Sequence, residues 1–341
     1  MFYQTPLLPD NKEKMKISQI VLGAALTEWG TCLNMVVTAS DGAFIARKQL
    51  QSETAMNPAE VIEAIAQFLD EHGEHARYGK LELAGCALTL EAAIDAAGTN
   101  TLEYFELAAW KDYPLQSELS ALLGGAPAAI DTLVNGLLIA EFAADSPAYS
   151  IPQSVALVDI DSSIMMSLAY RGVILRSPQF GALGHMQIAA DGAVCSCGGR
   201  GHLLTIASTQ AMIGRIMHYP ETIQRIAETS DGIAKTITPQ QIWQLAQEKD
   251  TVALNLLNDL TQALAYALSF IVEACDTDQI IITGDYAQFG QDWLWLLNHR
   301  IAEFCQPKRA AQLNRIVKLG TFHADRYVRG ALALAASQIG N

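Results

Sequence analysis

Basic residues are scarce in this sequence. Its 341 residues include 22 lysines and arginines against 36 aspartates and glutamates, which gives a net charge of −14 and an isoelectric point near 4.9. Proteins bind nucleic acids largely by neutralising phosphates with lysine and arginine. Because such an acidic surface repels a polyanion, we expect no direct DNA binding by this chain alone.

Long apolar runs and a secretory leader are also missing. The most apolar stretch, residues 263–275, is shorter than the roughly 20 residues that a membrane-spanning helix needs. The chain begins Met-Phe-Tyr-Gln-Thr-Pro, without a basic region followed by an apolar one. We therefore expect no membrane insertion.

Cysteines are few, and most of them are isolated. Four of the six stand singly in apolar surroundings, namely Cys32, Cys86, Cys275 and Cys305. Isolated cysteines of this kind are typical of buried free thiols in a reducing compartment. The cysteine content thus favours a cytoplasmic location.

The other two cysteines belong to a compact motif. His185, Cys195, Cys197 and His202 are spaced His-x9-Cys-x-Cys-x4-His, with glycines between them. Structural zinc sites use four cysteine or histidine ligands in a tetrahedron, and glycine allows the sharp turns that bring such ligands together. Two buried cysteines and two unrelated histidines are the alternative, but the tight spacing favours structural Zn2+.

The two halves of the chain share one pattern of predicted elements. In the first half we predict strands over 17–26, 33–38 and 43–50, a helix that begins at Asn57-Pro58, and a strand over 81–88. In the second half we predict strands over 155–160, 164–169 and 173–175, a long helix over 252–273, and a strand over 279–284. The repetition favours two related α/β lobes.

The segment from Phe180 to Ser208 resembles the signature of the ROK family of repressors and sugar kinases. That signature reads Glu-x-Gly-His, then Cys-x-Cys-Gly-x-x-Gly-Cys-Leu-Glu, then a serine a few residues later. The stretch Thr205–Ser208 is most similar to the NagC/Mlc-type transcriptional regulators. The resemblance extends from about residue 17 to the C-terminus.

This resemblance implies a two-lobed, actin/hexokinase-like (ribonuclease H-like) α/β fold. We expect an N-terminal arm over 1–16, a smaller lobe over 17–133 plus 325–341, and a larger lobe over 134–324 with the zinc knuckle over 185–202. It also implies a homodimer or homotetramer. The winged helix-turn-helix that precedes the lobes in family regulators has no counterpart in residues 1–16, so a DNA-binding domain is either missing from this sequence or supplied in trans.

Several residues depart from the pattern of family kinases. The base position of the Asn-Asp-x-Asn-Ala motif is Leu133, and the sugar-binding glutamates are replaced by Ala182 and Leu204. A leucine cannot accept the proton of a sugar hydroxyl. Asp131 is two residues away, and we expect it to point elsewhere in a turn or capping role. Of the sugar site, the resemblance leaves only Asn135 and His185.

The two phosphate-binding turns of family kinases also differ. The first, Asp-x-Gly-Gly-Thr, aligns with residues 23–29, which offer only Gly23 and end at Trp29. The second aligns with residues 159–164, where two aspartates would repel phosphates. For these aspartates we prefer a polar hairpin edge.

These departures predict that the chain is not an enzyme. We expect a catalytically inactive relative of the NagC/Mlc regulators, which acts through a sugar or sugar-phosphate effector or a protein partner. Two alternatives stay open: a glucose- or N-acetylhexosamine-type kinase with an atypical active site, and a small-molecule sensor.

Overall fold

The computed structural model describes residues 19–39, 42–72, 74–75, 79–103, 107–144, 153–176, 181–229, 237–321 and 324–339. The predicted arm over 1–16 and the start of the first predicted strand lie outside these residues. By its internal contacts the chain divides into two compact units. The first unit consists of Met1–Ile151, Gly172–Phe180 and His323–Asn341, and the second of Pro152–Arg171 and Gly181–Phe322.

The first unit is built around a five-stranded sheet with the strand order β3-β2-β1-β6-β9. Its elements are β1 (Gln19–Thr27), β2 (Cys32–Ala39), β3 (Phe44–Gln51), α1 (Pro58–Glu71), β4 (Glu74–His75), β5 (Gly79–Lys80), β6 (Glu82–Leu90), β7 (Ala93–Ile94), β8 (Thr101–Glu103), α2 (Leu115–Leu122), β9 (Ala128–Thr132) and α3 (Leu133–Ala144), with a last helix from the C-terminus. Strands β1, β6 and β9 are parallel, so their carboxyl ends lie at one edge of the sheet.

The core of the first unit follows from alternation along the strands. Every second residue of β1 from Ile20 to Leu26 belongs to one apolar cluster, together with the buried face of α1. Helix α1 begins where the sequence predicts, because Asn57 and Glu60 form a capping box in which each side chain binds the other residue's backbone N–H.

The second unit repeats the plan with more helices. Its elements are β10 (Ser154–Ile160), β11 (Ile164–Tyr170), α4 (Leu204–Ala207), α5 (Thr209–Ile216), α6 (Pro220–Thr229), α7 (Pro239–Gln247), α8 (Thr251–Ala274), β13 (Gln279–Gly284), α9 (Gly290–Ala302), α10 (Pro307–Ala310), α11 (Leu313–Ile316) and β14 (Val317–Leu319). Strands β11, β10, β13 and β14 lie side by side in that order. Each unit therefore contains the predicted strand meander, followed by helices and further strands.

Two elements belong to the first unit although they come late in the chain. These are β12 (Val173–Ile174) and α12 (Arg326–Ser337). Helix α12 packs on β1, β6 and α3. Since α3 contacts α12 so extensively, the first unit runs on to Ile151, past the boundary at residue 133 that we expected from the sequence.

Among the residues that the structure describes, no helix combines the length and apolar character needed to cross a bilayer.

Candidate functional site

Polar side chains gather in the first unit where β6 and β9 end. Thr89 of β6 and Asp131 of β9 are register partners in the parallel pairing, and Asn135 lies in the first turn of α3, which follows β9 directly. Ligands of open α/β sheets bind outside the carboxyl ends of the strands. This edge is therefore a candidate binding site.

Asp131 is the centre of this group. Its Oδ1 accepts hydrogen bonds from the Asn135 side chain at 2.6 Å and from the backbone N–H of Thr132 at 2.8 Å. Its Oδ2 accepts from Nε of Arg176 at 2.8 Å and from Nη2 of the same residue at 2.6 Å. The residue is only 3% exposed. Asp131 is thus a buried carboxylate held by four donors.

This geometry corrects the expectation that Asp131 points away from the sugar-binding residues. The two-residue offset from Leu133 leaves Asp131 on the strand, whereas Leu133 is the first residue of α3 and is buried. The strand register turns the Asp131 carboxylate to Asn135. Leu133 cannot accept a proton, but a carboxylate lies beside the retained asparagine.

Sequence reasoning missed two members of this group, Arg176 and Thr89. Thr89 is fully buried, and its hydroxyl has no hydrogen-bond partner among the residues that the structure describes. Strand β6 extends to Leu90, two residues past the predicted end, so Thr89 belongs to the strand. A lone arginine after a short apolar strand was the available signal for Arg176, but a sequence does not show which acid such an arginine meets.

The turn after β1 lies later in the chain than the alignment predicted. It runs through Glu28, Trp29 and Gly30, all with positive φ (53°, 59° and 85°). Gly23 lies within β1, where an added Cβ would come 2.5 Å from the backbone N of Leu332. The real turn reads Thr-Glu-Trp-Gly-Thr over 27–31, and so retains the final Gly-Thr of the family motif.

The second expected phosphate turn is a tight hairpin between β10 and β11. Asp159 is fully buried and accepts a hydrogen bond from Thr283 of β13 at 2.8 Å. The backbone N–H of Asp161 donates to the Ser163 carbonyl at 2.9 Å. The predicted polar edge holds for the turn residues, whereas Asp159 is a core residue because its carboxylate bridges two neighbouring strands.

The second unit brings the four predicted metal ligands together. The ligand atoms of His185, Cys195, Cys197 and His202 all lie within 4.8 Å of one another. Nδ1 of His185 is 3.6 Å from Sγ of Cys195, and Nδ1 of His202 is 3.3 Å from Sγ of Cys197. Tetrahedral zinc with ordinary bond lengths places nitrogen and sulfur ligands about 3.5 Å apart. The group therefore fits a metal ion of that size.

Close backbone packing builds this cluster. A Cβ on Gly201 would lie 1.5 Å from the carbonyl oxygen of Ala189, and Gly201 itself has a φ of +63°. A Cβ on Gly199 would lie 2.4 Å from the His202 ring. Only glycine fits these two positions, which hold the loop tight enough for all four side chains to converge.

The imidazoles suit metal binding. Partial burial, together with the nearby His202, lowers the pKa of His185 below its usual value. The neutral ring that this favours is the form that ligates metals.

At the two positions where the family has sugar-binding glutamates, Ala182 is exposed, and Leu204 lies within packing distance of Gly184.

The structure thus groups the predicted site residues in two places. Asn135 belongs to the first unit with Asp131 and Arg176, and His185 belongs to the metal cluster of the second unit.

Comparison with known proteins agrees with the motif. The profile of the ROK family matches residues 25–338. A glucokinase from Halalkalibacterium halodurans is 22% identical over 300 residues, which is 85% of this chain and 88% of that protein.

Two solved structures show the same two-sheet α/β fold. One is a ROK family transcriptional regulator, a homologue of the E. coli Mlc protein, with a TM-score of 0.74 and 19% identity over 95% of this chain and 79% of that one. The other is a ROK family glucokinase from Streptomyces griseus in complex with glucose and AMPPNP, with a TM-score of 0.71 and 17% identity over 93% and 99%. The predicted hexokinase-like fold is confirmed.

The comparisons contradict the prediction that the chain is not an enzyme. A relative that aligns over most of both chains is named a glucokinase, and glucokinases share the fold. The prediction inferred inactivity from single residues such as Leu133, whereas the family match extends over residues 25–338.

Proposed function

The chain belongs to the ROK family, and from this we propose that it is a carbohydrate kinase that transfers the γ-phosphoryl group of Mg-ATP to a hydroxyl of a hexose-type substrate. The observation that carries this proposal is the position of Asn135, the retained residue of the sugar site, at the carboxyl end of a parallel strand, where the buried Asp131 carboxylate holds its side chain at 2.6 Å. The kinship with a named glucokinase supports the same reaction.

The protein itself forms no covalent bond to the substrate in this reaction. The substrate hydroxyl oxygen forms a bond to the γ-phosphorus, the bond from that phosphorus to the β,γ-bridging oxygen breaks, and ADP leaves. The hydroxyl proton passes to solvent, since the four acceptor sites of the Asp131 carboxylate are already occupied. Because the transition state is loose, positioning and electrostatics dominate, and a general base adds about 10²–10⁴-fold. The leucine at the base position, Leu133, should therefore lower the rate without changing the reaction.

The turn over 27–31 is our candidate for the first phosphate contact. Its backbone adopts left-handed conformations at Glu28 and Trp29, which ordinary residues avoid at a cost of about 1–3 kcal/mol each. Such strain is retained where the shape of the backbone matters, and the family turn places glycines here for the same shape.

We also propose that the four-residue cluster holds a structural Zn2+ ion. His185, Cys195, Cys197 and His202 supply two nitrogens and two sulfurs, which close a tetrahedral site without an open position. The ion would tie the loop to α4 and take no part in phosphoryl transfer. Self-association, a protein partner and a cytoplasmic location stay predictions from the sequence.

Phosphoryl transfer is tested directly by ADP release. The purified protein is incubated with Mg-ATP and, in separate reactions, glucose, N-acetylglucosamine and N-acetylmannosamine, and product is identified by mass spectrometry. We expect a sugar phosphate from at least one of them, and a loss of about tenfold or more in kcat/KM for Asp131→Asn, because the amide cannot hold Asn135 and Arg176 as the carboxylate does. Asp112→Asn removes an exposed carboxylate of the same unit and serves as the control.

No sugar phosphate from any acceptor, or full activity in Asp131→Asn with a well-folded protein, would contradict the proposal.

A second candidate is an effector-binding regulator. The likeness to the Mlc homologue across 95% of the chain favours it. In that case a sugar or sugar phosphate alone raises the melting temperature, because a ligand that binds only the folded state stabilises it. A thermal shift without ATP, combined with no ADP release in the activity assay, identifies this candidate, because a kinase also binds its sugar but releases ADP.

A further inference from the structure

The second unit has an open cavity of about 470 Å³ beside helix α8. The metal-cluster segment contributes the apolar side chains Ile188 and Ile206 to its lining. Tyr266 of α8 and Phe304, in the turn after α9, also line it, with their rings in an edge-to-face contact at 5.4 Å. A cavity of roughly 150 Å³ is already enough to hold a benzene ring. This space therefore suits an aromatic side chain.

An exposed phenylalanine lies one helical turn from the cavity. Phe270 follows Tyr266 on α8 at a spacing of four residues, which places the two side chains on the same face of the helix. Phe270 is 58% exposed. Exposed apolar side chains that stand together, unlike single ones, mark interaction surfaces. The face thus presents a projecting ring next to a cavity of matching chemistry.

A surface that carries both a projecting ring and a cavity for such a ring can pair with a second copy of itself. In a two-fold dimer the same patch of both copies takes part, so each ring can meet the other copy's cavity. If the axis passes near Tyr266, the two α8 helices cross antiparallel. Phe270 of each copy then lies opposite Gln262 of the other, and Gln262 is part of the cavity lining.

The charges around the cavity favour a second copy as well. With a net charge of −14, two copies repel each other over most of their surface. At the cavity, however, Arg215 binds Asp259 at 2.5 Å, and their side chains are 39% and 50% exposed. Arg300 binds Glu303 at 3.0 Å close by, and also donates to Asn258 of the cavity lining at 2.8 Å. This part of the surface is therefore locally neutral and offers both signs to a partner that carries the same groups.

We propose that the face formed by α8 and the end of α9 is a self-association surface, in which Phe270 of each copy inserts into the cavity of the other. Arg215 of one copy then faces Asp259 of the other at the rim. The inference concerns the second unit alone and does not depend on the proposed kinase function.

Sedimentation velocity of the full chain over a dilution series tests the projecting ring. We expect the wild type to form dimers at micromolar concentration, or a larger assembly built from them. Phe270→Ala should raise the dissociation constant at least about 100-fold, about tenfold for each of the two rings that lose their burial. Phe44→Ala is the matched control, because Phe44 is 65% exposed on β3 of the first unit. It should leave the dissociation constant unchanged.

A charge reversal tests the rim independently. Asp259→Arg should weaken association, because it brings two cations together across the interface. The double variant Arg215→Asp, Asp259→Arg restores the opposite signs and should associate more tightly than Asp259→Arg alone. If the double variant is no better than the single one, the assigned charge contact is refuted.

The outcomes decide whether a second copy occupies this face. A monomeric wild type would overturn the proposal and leave the cavity to another protein or to a small molecule. A wild-type assembly that Phe270→Ala leaves intact, or that Phe44→Ala disrupts to the same extent, would place the interface elsewhere and overturn it too. Should Phe270→Ala fail to fold, Asp259→Arg decides: an unchanged dissociation constant would refute this surface.

Discussion

Gly136 on α3 and Gly330 on α12 meet backbone to backbone. A Cβ built on Gly330 would lie 2.7 Å from the carbonyl carbon of Gly136 and 2.9 Å from the backbone N of Leu137. Helix α3 carries Asn135 one residue before this crossing. The contact therefore fixes the position of the site residue as well as the packing of the two helices.

Adding a methyl group at this crossing should destabilise the protein. We expect Gly330→Ala to lower the free energy of unfolding by about 1–3 kcal/mol, since backbone atoms must move apart. Gly214→Ala is the control, because Gly214 is exposed within α5 and its Cβ would meet no atom within 4 Å. In a helix interior that change stabilises by about 0.5–1 kcal/mol. Urea denaturation gives both values, and effects of the same sign would refute the close contact.

The His/Cys cluster should bind one Zn2+ ion per chain. We expect Cys197→Ser to lose the metal, whereas Cys275→Ser keeps it, because Cys275 is a free thiol outside the cluster. Metal analysis by plasma mass spectrometry after dialysis measures both. Chelation should lower the melting temperature of the wild type and leave that of Cys197→Ser unchanged. Equal metal content in the two variants would rule out the assigned ligands.

Replacing Thr89 should stabilise the protein and, if its hydroxyl contacts the substrate, weaken substrate binding. Its buried hydroxyl has no partner in the described part of the chain, so Thr89→Val removes an unsatisfied polar atom and should raise the free energy of unfolding by about 1–2 kcal/mol. Thr101→Val is the matched control: Thr101 is equally buried but donates to the Trp110 carbonyl at 2.7 Å, and its loss should destabilise. If the Thr89 hydroxyl binds substrate, Thr89→Val also raises KM. A destabilised Thr89→Val variant would show that the hydroxyl is satisfied in solution.

Short-range patterns in the sequence predict much of this structure. The metal cluster is a local motif whose glycines allow few other backbone conformations of the loop. The capping box at Asn57 marks the start of α1. The site around Asp131 depends on contacts between distant residues. Arg176 lies 45 residues from the carboxylate that it binds, and no periodicity encodes that meeting. The expectation that Asp131 points elsewhere overlooked the end of β9, which turns the carboxylate to Asn135, whereas the expected turn role is visible in the hydrogen bond from the Thr132 N–H.

Acid should weaken the loop between β7 and β8 through Asp95. Burial raises the pKa of Asp95, but hydrogen bonds from Thr99 and Asn100 outweigh it and leave the pKa below its ordinary value. A depressed pKa contributes stability that is present above the unfolded-state pKa, near 4, and is lost as the pH falls through the lower folded-state value. We therefore expect Asp95→Asn to be less stable than the wild type at pH 7, with the gap shrinking below about pH 4. Asp70→Asn, on the exposed end of α1, should show no such gap. Denaturation curves between pH 7 and pH 3 measure the difference, and a gap that stays constant with pH would mean that the charge of Asp95 contributes nothing.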